Sequence, residues 1–171
     1  SVIIKGDRYS GKSHILDFFS QKYNFSIIKN FQENYLTNFF FQDNFYAIED
    51  IDLIEDERLL LHLINLASES KSFLILTAQN INNFLLKDLN SRIKNIFTLE
   101  IKSPNYEFIK ILLTKYLSEK QLKIDNQILN FLAKNLKTYQ EIYNIVKIIE
   151  FHCNENKIHQ ISFKKIKSKL L

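Results

Sequence analysis

The sequence predicts an α/β protein in which a parallel five-stranded sheet is followed by a small all-helical domain. Short apolar runs alternate with helix-like periodic stretches as far as about Ile101, which is typical of a parallel sheet. After that point only helical periodicity remains. A glycine-containing turn joins the first apolar run to the first helix.

Five apolar runs are predicted strands because they are rich in β-branched and aromatic residues. They are residues 2–5, 25–29, 45–49, 73–77 and 96–101. Between the third and the fourth run, residues 55–70 carry leucine and isoleucine at three- and four-residue spacing, which predicts a packed helix. This order predicts a βαβ unit.

The second part of the chain is predicted to hold four helices. They are residues 104–119, 125–136, 139–154 and 162–171. Ser103 and Pro104 resemble an N-cap followed by proline at the first helical position, and Asp125 and Ser162 resemble further N-caps. We therefore predict an α/β domain over residues 1–102 and a helical domain over residues 103–171.

Composition narrows the classes of function. The net charge is +4, but the lysines are scattered, so we expect direct DNA binding to be weak or absent. The single cysteine, Cys153, excludes an intrachain disulfide. The longest apolar stretch, residues 59–67, is shorter than the roughly 18 residues that a membrane span requires. With no secretory signal in the sequence, we expect a cytoplasmic protein, and its start close to a strand predicts further residues upstream.

Residues 6–13 match the P-loop pattern G-x-x-x-x-G-K-[ST], and we call them the phosphate loop. In order they are Gly6, Asp7, Arg8, Tyr9, Ser10, Gly11, Lys12 and Ser13. Glycines allow consecutive backbone N–H groups to approach phosphate, and a helix N-terminus adds positive potential. Lys12 is predicted to bind the β- and γ-phosphates and Ser13 to bind Mg²⁺. The alternative is a tight strand-to-helix turn that binds no ligand.

The third predicted strand ends in two acidic residues, Glu49 and Asp50. Parallel strands deliver such residues to the crevice at their carboxyl ends, beside the phosphate loop. We assign Mg²⁺ coordination to Glu49 and activation of water to Asp50. The alternative is that these acids cap a following helix.

Five segments together resemble the AAA+ P-loop ATPase domains of the DnaA/Hda family, and the regulatory Hda-like members most of all. They are residues 11–16, 48–52, 61–66, 74–79 and 88–93. The resemblance implies an AAA+ sheet domain with a helical lid that binds ADP or ATP with Mg²⁺. It also implies nucleotide contacts by His14 in the first helix and by Gln140 in the lid.

The resemblance further implies that Arg92 is an arginine finger, which contacts the nucleotide of a neighbouring protomer. A surface ion pair with Asp88 is the alternative. Gln79 matches the polar sensor that orients water near the γ-phosphate, although Asn80 or Thr77 serves equally well. In this reading the chain stimulates ATP hydrolysis by the replication initiator DnaA.

Several departures favour a regulator over an initiator. Only about 36 residues separate Lys12 from Glu49, which leaves no room for the initiator's helical insertion. No DNA-binding module follows the lid in this sequence, which ends at Leu171. Glu49 replaces the family's usual aspartate, and Gln140 or Glu141 replaces the lid arginine. We therefore expect weak or absent intrinsic hydrolysis, with Arg8 as a partial substitute for that arginine.

Other partners and functions stay open at this point. The resemblance implies docking on the sliding clamp through a segment that this sequence lacks, and a homo-oligomer. One alternative is an initiator-like or helicase-loader-like ATPase that binds single-stranded DNA, supported by the lysines of residues 164–169. Another is an interaction scaffold that has lost nucleotide binding. A small-molecule kinase ranks last, because the helical part offers no acceptor site.

Overall fold

The structure is a computed structural model, and it describes residues 1–23, 25–28, 44–82, 84–157 and 160–161, the last two as backbone only. The chain divides into two compact units, Ser1–Lys102 and Ser103–Leu171. Each unit is described by itself. The predicted helix over residues 162–171 and its cap, Ser162, lie outside the described residues.

The first unit is built on a five-stranded parallel sheet, which confirms the predicted fold class. The strands are β1 Val2–Gly6, β2 Ser26–Ile28, β3 Phe45–Ile48, β4 Phe73–Ala78 and β5 Phe97–Ile101. Their order in the sheet is β2-β3-β4-β1-β5. Since β4 lies between β1 and β3, the carboxyl ends of these three strands meet at one edge, where ligands of open α/β sheets bind.

Three helices accompany this sheet. They are α1 Lys12–Tyr23, α2 Glu57–Glu69 and α3 Lys87–Asn95. Leu60 and Leu63 of α2 and Ile93 of α3 pack against Ile3 and Leu76 of the sheet, and all five are at most 1% exposed. Helix α3 and a 3-10 turn over Ile51–Leu53 are additions to the predicted elements.

The second unit contains α4 Tyr106–Glu119, α5 Asn126–Asn135 and α6 Tyr139–Asn156. In each helix, apolar residues recur every three or four positions and form the core of this unit. Examples are Leu113 in α4, Ile128 in α5 and Ile149 in α6. The structure adds a short parallel pair of strands, β6 Lys123–Ile124 and β7 Gln160–Ile161, to the predicted helices. Two-residue strands are too short to produce a periodic signal in a sequence.

The helix caps of this unit agree with the prediction in one case and differ in another. Asp125 caps α5, as predicted, by accepting a hydrogen bond from the N–H of Gln127 at 2.9 Å. The predicted N-cap at Ser103 is wrong, because α4 begins at Tyr106 and Asn105 accepts from the N–H of Phe108. Pro104 therefore precedes the cap instead of opening the helix.

Candidate nucleotide-binding site

The phosphate loop connects β1 directly to α1. Tyr9 and Gly11 both have positive φ angles, 64° and 93°. The N–H of Ser10 donates to the carbonyl of Asp7 at 3.1 Å, and the N–H of Ile15 donates to the carbonyl of Gly11 at 3.0 Å. The chain thus makes a tight turn and enters a helix at once. Such turns and helix N-termini direct N–H groups at anions.

The two glycines are needed for different reasons. A Cβ on Gly6 would lie 2.7 Å from Ser10 Oγ and 3.0 Å from Ile101 Cβ, so this position has no space for a side chain. A Cβ on Gly11 would meet nothing within 4 Å, but φ of +93° disfavours any L side chain. Ser10 Oγ is buried and has no hydrogen-bond partner among the described residues.

Lys12 is the most buried charged residue of the described site, at 8% exposed. Its Nζ donates to the carbonyls of Gly6 at 2.9 Å and Asp7 at 3.2 Å, and lies 4.0 Å from Asp50 Oδ1. An ammonium group has three hydrogens, and the loop carbonyls engage two of them. A largely desolvated cation at the N-terminus of α1, with the orphaned hydroxyl of Ser10 in the same loop, fits a polyphosphate chemically.

Of the two acids after β3, Asp50 is the one that approaches Lys12. Asp50 has a left-handed backbone, with φ of 45° and ψ of 56°, and its N–H donates to Thr77 Oγ1 at 2.9 Å. Thr77 is 1% exposed in β4. Glu49 is half-buried and has no polar side-chain contact with any described residue. The structure therefore brings Lys12, Asp50 and Thr77 together.

The remaining predicted residues near the loop are more exposed. Ser13 and His14 lie on the solvent side of the first turn of α1. Arg8 is exposed, with its guanidinium carbon 5.5 Å from the centroid of the Tyr9 ring. These side chains are accessible to a ligand that approaches the loop from solvent.

Gln79 follows β4 directly and is exposed. Its backbone N–H donates to both carboxylate oxygens of Asp52, at 3.1 Å each, and the N–H of Asn80 donates to Asp52 Oδ2 at 3.0 Å. The sequence interpretation assigned no role to Asp52. A carboxylate four residues after the end of β3 was the available signal, but its partner N–H groups lie 27 and 28 residues away.

Arg92 lies in the last turn of α3 and is exposed. Among the described residues it has no ion pair, so the alternative pairing with Asp88 does not form there. The neighbouring Asn90 donates through Nδ2 to the carbonyls of Phe84 and Leu86. A shallow depression of about 600 Å³ beside them is lined by Asn82, Lys87, Asn90, Ser91 and Lys94.

Gln140 belongs to the second unit, where it is the second residue of α6 and half-buried. Its neighbour Glu141 has a structural role. Thr138 Oγ1 accepts from the N–H of Glu141 at 3.2 Å, and the Glu141 carboxylate accepts from the N–H groups of Lys137 at 2.7 Å and Thr138 at 3.2 Å. This capping box carries the sequence signature T-x-x-E, which the sequence interpretation missed.

Membrane-spanning helices and clustered metal ligands are two further features that the described residues lack. No helix in the described ranges combines the length and the apolar character that crossing a bilayer requires. Within the same ranges, His, Cys, Asp and Glu side chains nowhere gather in threes that could hold a metal ion.

Comparison with known proteins gives matches in structure alone. No protein-family model matches the sequence, and no curated protein matches it. AMPPCP-bound DnaA from Aquifex aeolicus is similar over 87% of this chain and 55% of its own, with a TM-score of 0.64 and 18% identity. Replication initiator DnaA bound to AMPPCP and single-stranded DNA is similar over 91% of this chain and 58% of its own, with a TM-score of 0.66 and 15% identity. RuvB from Thermotoga maritima, a Holliday junction branch migration motor, is similar over 98% and 59%, with a TM-score of 0.72 and 16% identity.

The chain has the AAA+ fold. It spans less than three fifths of the length of the three solved structures described above. Within the AAA+ fold, the strand order and the phosphate loop between β1 and α1 account for the position of the candidate site. Identities of 15% to 18% support the fold and leave the function to be argued from the residues.

Proposed function

We propose that this chain is an adenine-nucleotide-binding AAA+ regulator that stimulates ATP hydrolysis by a partner ATPase of the DnaA type. The observation that carries the proposal is the environment of Lys12. Its ammonium is nearly buried at the N-terminus of α1, is held by two loop carbonyls and lies 4.0 Å from Asp50. Together with the N–H groups of the loop it forms a pocket that favours phosphate oxygens.

The other residues have supporting roles in this proposal. Ser13 and Glu49 hold Mg²⁺, which supplies charge neutralisation for the phosphates. Asp50 activates the attacking water, and Gln79 orients that water. His14, Arg8 and Gln140 contact the nucleotide. Because Glu49 is longer than aspartate and Gln140 is uncharged, turnover by the chain itself is weak. The nucleotide is ADP or ATP, and the AMPPCP-bound DnaA structures support this choice.

Arg92 acts on the partner's nucleotide. Its guanidinium is exposed on α3 and has no ion pair among the described residues. No such ion pair must therefore be broken before the guanidinium contacts phosphate. A guanidinium is planar and permanently charged, and it donates to phosphate oxygens as charge redistributes during transfer. The partner is DnaA. We further propose that the chain binds a second copy of itself and the sliding clamp, and that it is located in the cytoplasm.

Two measurements, made one after the other, test the proposal. Calorimetry with ADP and ATP in Mg²⁺ should show binding by the wild type and a loss of about 10- to 100-fold with Lys12→Ala, because a hydrogen-bonded charge is removed. Turnover of DnaA-bound ATP should then rise with the wild type and fall to the unstimulated rate with Arg92→Ala. Lys94→Ala, which removes another exposed cation from α3, is the matched control and should retain stimulation.

Two results would contradict the proposal. Absence of any adenine-nucleotide binding would reduce the chain to an interaction scaffold. Equal stimulation by the wild type and Arg92→Ala would remove the arginine finger.

A second candidate is an ATPase that acts on DNA. It is favoured by the structural similarity to DnaA bound to single-stranded DNA and to the RuvB motor. This candidate predicts intrinsic ATP turnover and salt-sensitive binding to single-stranded DNA. Fluorescence anisotropy with a labelled oligonucleotide at low and high salt distinguishes the two, since the regulator should bind weakly in both.

A further inference from the structure

The connection between β4 and α3 is bound at both ends by two carboxylates that follow β3, one in the 3-10 turn and one at the first residue of α2. At its start, Asp52 accepts from the N–H groups of Gln79 and Asn80 at 3.0 to 3.1 Å. At its end, Glu57 accepts from the N–H of Leu85 at 2.8 Å and the N–H of Leu86 at 2.7 Å. Each carboxylate therefore joins segments that lie 27 to 29 residues apart in sequence.

These contacts differ from ordinary helix capping. Asp56 lies in the same short stretch and also accepts from two N–H groups, but those belong to Arg58 and Leu59 of its own helix. Asp52 and Glu57 are half-buried, and neither forms an ion pair with a described residue. Their negative charge is therefore satisfied by backbone N–H groups, and such charge-assisted hydrogen bonds are stronger than neutral ones.

The second pair of contacts bears directly on the start of α3. Leu86 is the N-cap residue of this helix, yet its own side chain makes no capping hydrogen bond. Glu57 binds the N–H of Leu86, and Asn90 binds its carbonyl through Nδ2. Arg92 follows Asn90 by two residues on the same helix. A carboxylate from α2 thus contacts the residue at which α3 begins.

The first pair of contacts bears on the end of the sheet. Asp50 donates its N–H to Thr77 Oγ1 and lies 4.0 Å from the ammonium of Lys12. Asp52 then binds the backbone immediately after β4. Polar contacts therefore link the phosphate loop to the end of β3, and link the residues after β3 to the residues directly after β4.

We propose that Asp52 and Glu57 are positioning residues that fix the β4–α3 connection to the end of β3 and the start of α2, and so hold in one orientation the backbone of Gln79 and the helix that carries Arg92. The functional consequence rests on the proposed role of Arg92. Removal of either carboxylate should leave nucleotide binding intact and reduce the effect of Arg92 on the partner.

The test uses the full chain with Asp52→Ala and Glu57→Ala, and Asp56→Ala as the matched control for the loss of a carboxylate that accepts two N–H groups. Amide hydrogen exchange should be faster by about tenfold or more at Gln79 and Asn80 in Asp52→Ala, and at Leu85 and Leu86 in Glu57→Ala. Asp56→Ala should leave these four amides unchanged. Asp52→Asn and Glu57→Gln serve where an alanine variant does not fold.

The same variants are then compared in the two functional assays. Nucleotide affinity should stay within about twofold of wild type, while stimulation of DnaA-bound ATP turnover should fall about tenfold or more, since small displacements of a reacting group are costly. Unchanged exchange at the four amides would overturn the inference whatever the partner does. Faster exchange with full stimulation would overturn the positioning role. Failure of the proposed function itself has a different signature, which is stimulation that survives Arg92→Ala.

Discussion

The backbone N–H of Asp50 donates a hydrogen bond to the hydroxyl of Thr77, with 2.9 Å between nitrogen and Oγ1. The bond joins the ends of two neighbouring strands and holds Asp50 in a left-handed conformation that residues with a Cβ seldom adopt. It also keeps the Asp50 carboxylate 4.0 Å from the ammonium of Lys12. Thr77 therefore supports the candidate site through the backbone of its acid.

Replacement of Thr77 by valine should test this support. Valine has nearly the same shape but no hydroxyl, so the N–H of Asp50 would lose its acceptor at a cost of about 1–3 kcal/mol in the free energy of unfolding. Without Mg²⁺, ADP affinity should rise slightly as well, because the Asp50 carboxylate, which repels phosphate, would no longer be held beside Lys12. Thr77→Ser keeps the acceptor and should retain the affinity. Denaturant unfolding and calorimetry measure both effects, and a valine variant equal to wild type in both would show that the bond is unimportant.

The two glycines of the phosphate loop should respond differently to alanine. Gly6→Ala places Cβ 2.7 Å from Ser10 Oγ and 3.0 Å from Ile101 Cβ, and this overpacking should cost about 1–3 kcal/mol. Gly11→Ala has space, but a φ of +93° should cost about 1–2 kcal/mol in backbone strain.

A second substitution separates these two mechanisms. Ser10→Ala removes the nearer of the two atoms at Gly6, so it should recover part of the stability lost in Gly6→Ala and none of that lost in Gly11→Ala. Thermal unfolding of the three single variants and the two double variants measures this difference. Equal recovery in both backgrounds would mean that steric overlap is not the cause at Gly6.

The sequence was sufficient for the parts of the molecule that depend on local pattern. The five strands, helix α2 and the turn through Gly6 and Gly11 each leave a periodic or compositional signal within a few residues. Asp125 as a helix cap belongs to the same class, since a cap acts on N–H groups two or three residues away.

The parts that could not be predicted depend on contacts between distant residues. Asp52 binds the N–H of Gln79 and Glu57 binds the N–H of Leu86, and neither pairing has a sequence signal because any backbone N–H is chemically the same.

The misplaced cap at Ser103 has a local cause. Ser103, Pro104 and Asn105 are all compatible with the start of a helix, and only the hydrogen bond from Phe108 to Asn105 decides between them.

The lone cysteine gives a pH-dependent prediction for the second unit. Cys153 is 1% exposed in α6, and burial raises the pKa of its thiol. The folded pKa therefore lies above the unfolded one, so stability from the neutral thiol is complete below the unfolded pKa and is lost as pH rises through the folded pKa. Unfolding free energies should fall with rising pH above about 8.5, and less steeply in Cys153→Ala. Parallel pH profiles of the two proteins would contradict the assignment.

The assignment of the metal to Glu49 is tested by comparison with Asp50. Without Mg²⁺, Asp50→Asn should raise ADP affinity, because the half-exposed carboxylate beside Lys12 no longer repels phosphate. The gain should be small, roughly 1 kcal/mol or about fivefold, since solvent screens the interaction. Glu49→Gln should instead abolish the increase in affinity that Mg²⁺ produces, because an amide is a weaker ligand for this cation than a carboxylate. Calorimetry with ADP in Mg²⁺ and in a chelator measures both changes. If Asp50→Asn removes the Mg²⁺ effect and Glu49→Gln keeps it, the metal ligand is Asp50, the carboxylate that the fold holds nearest to Lys12.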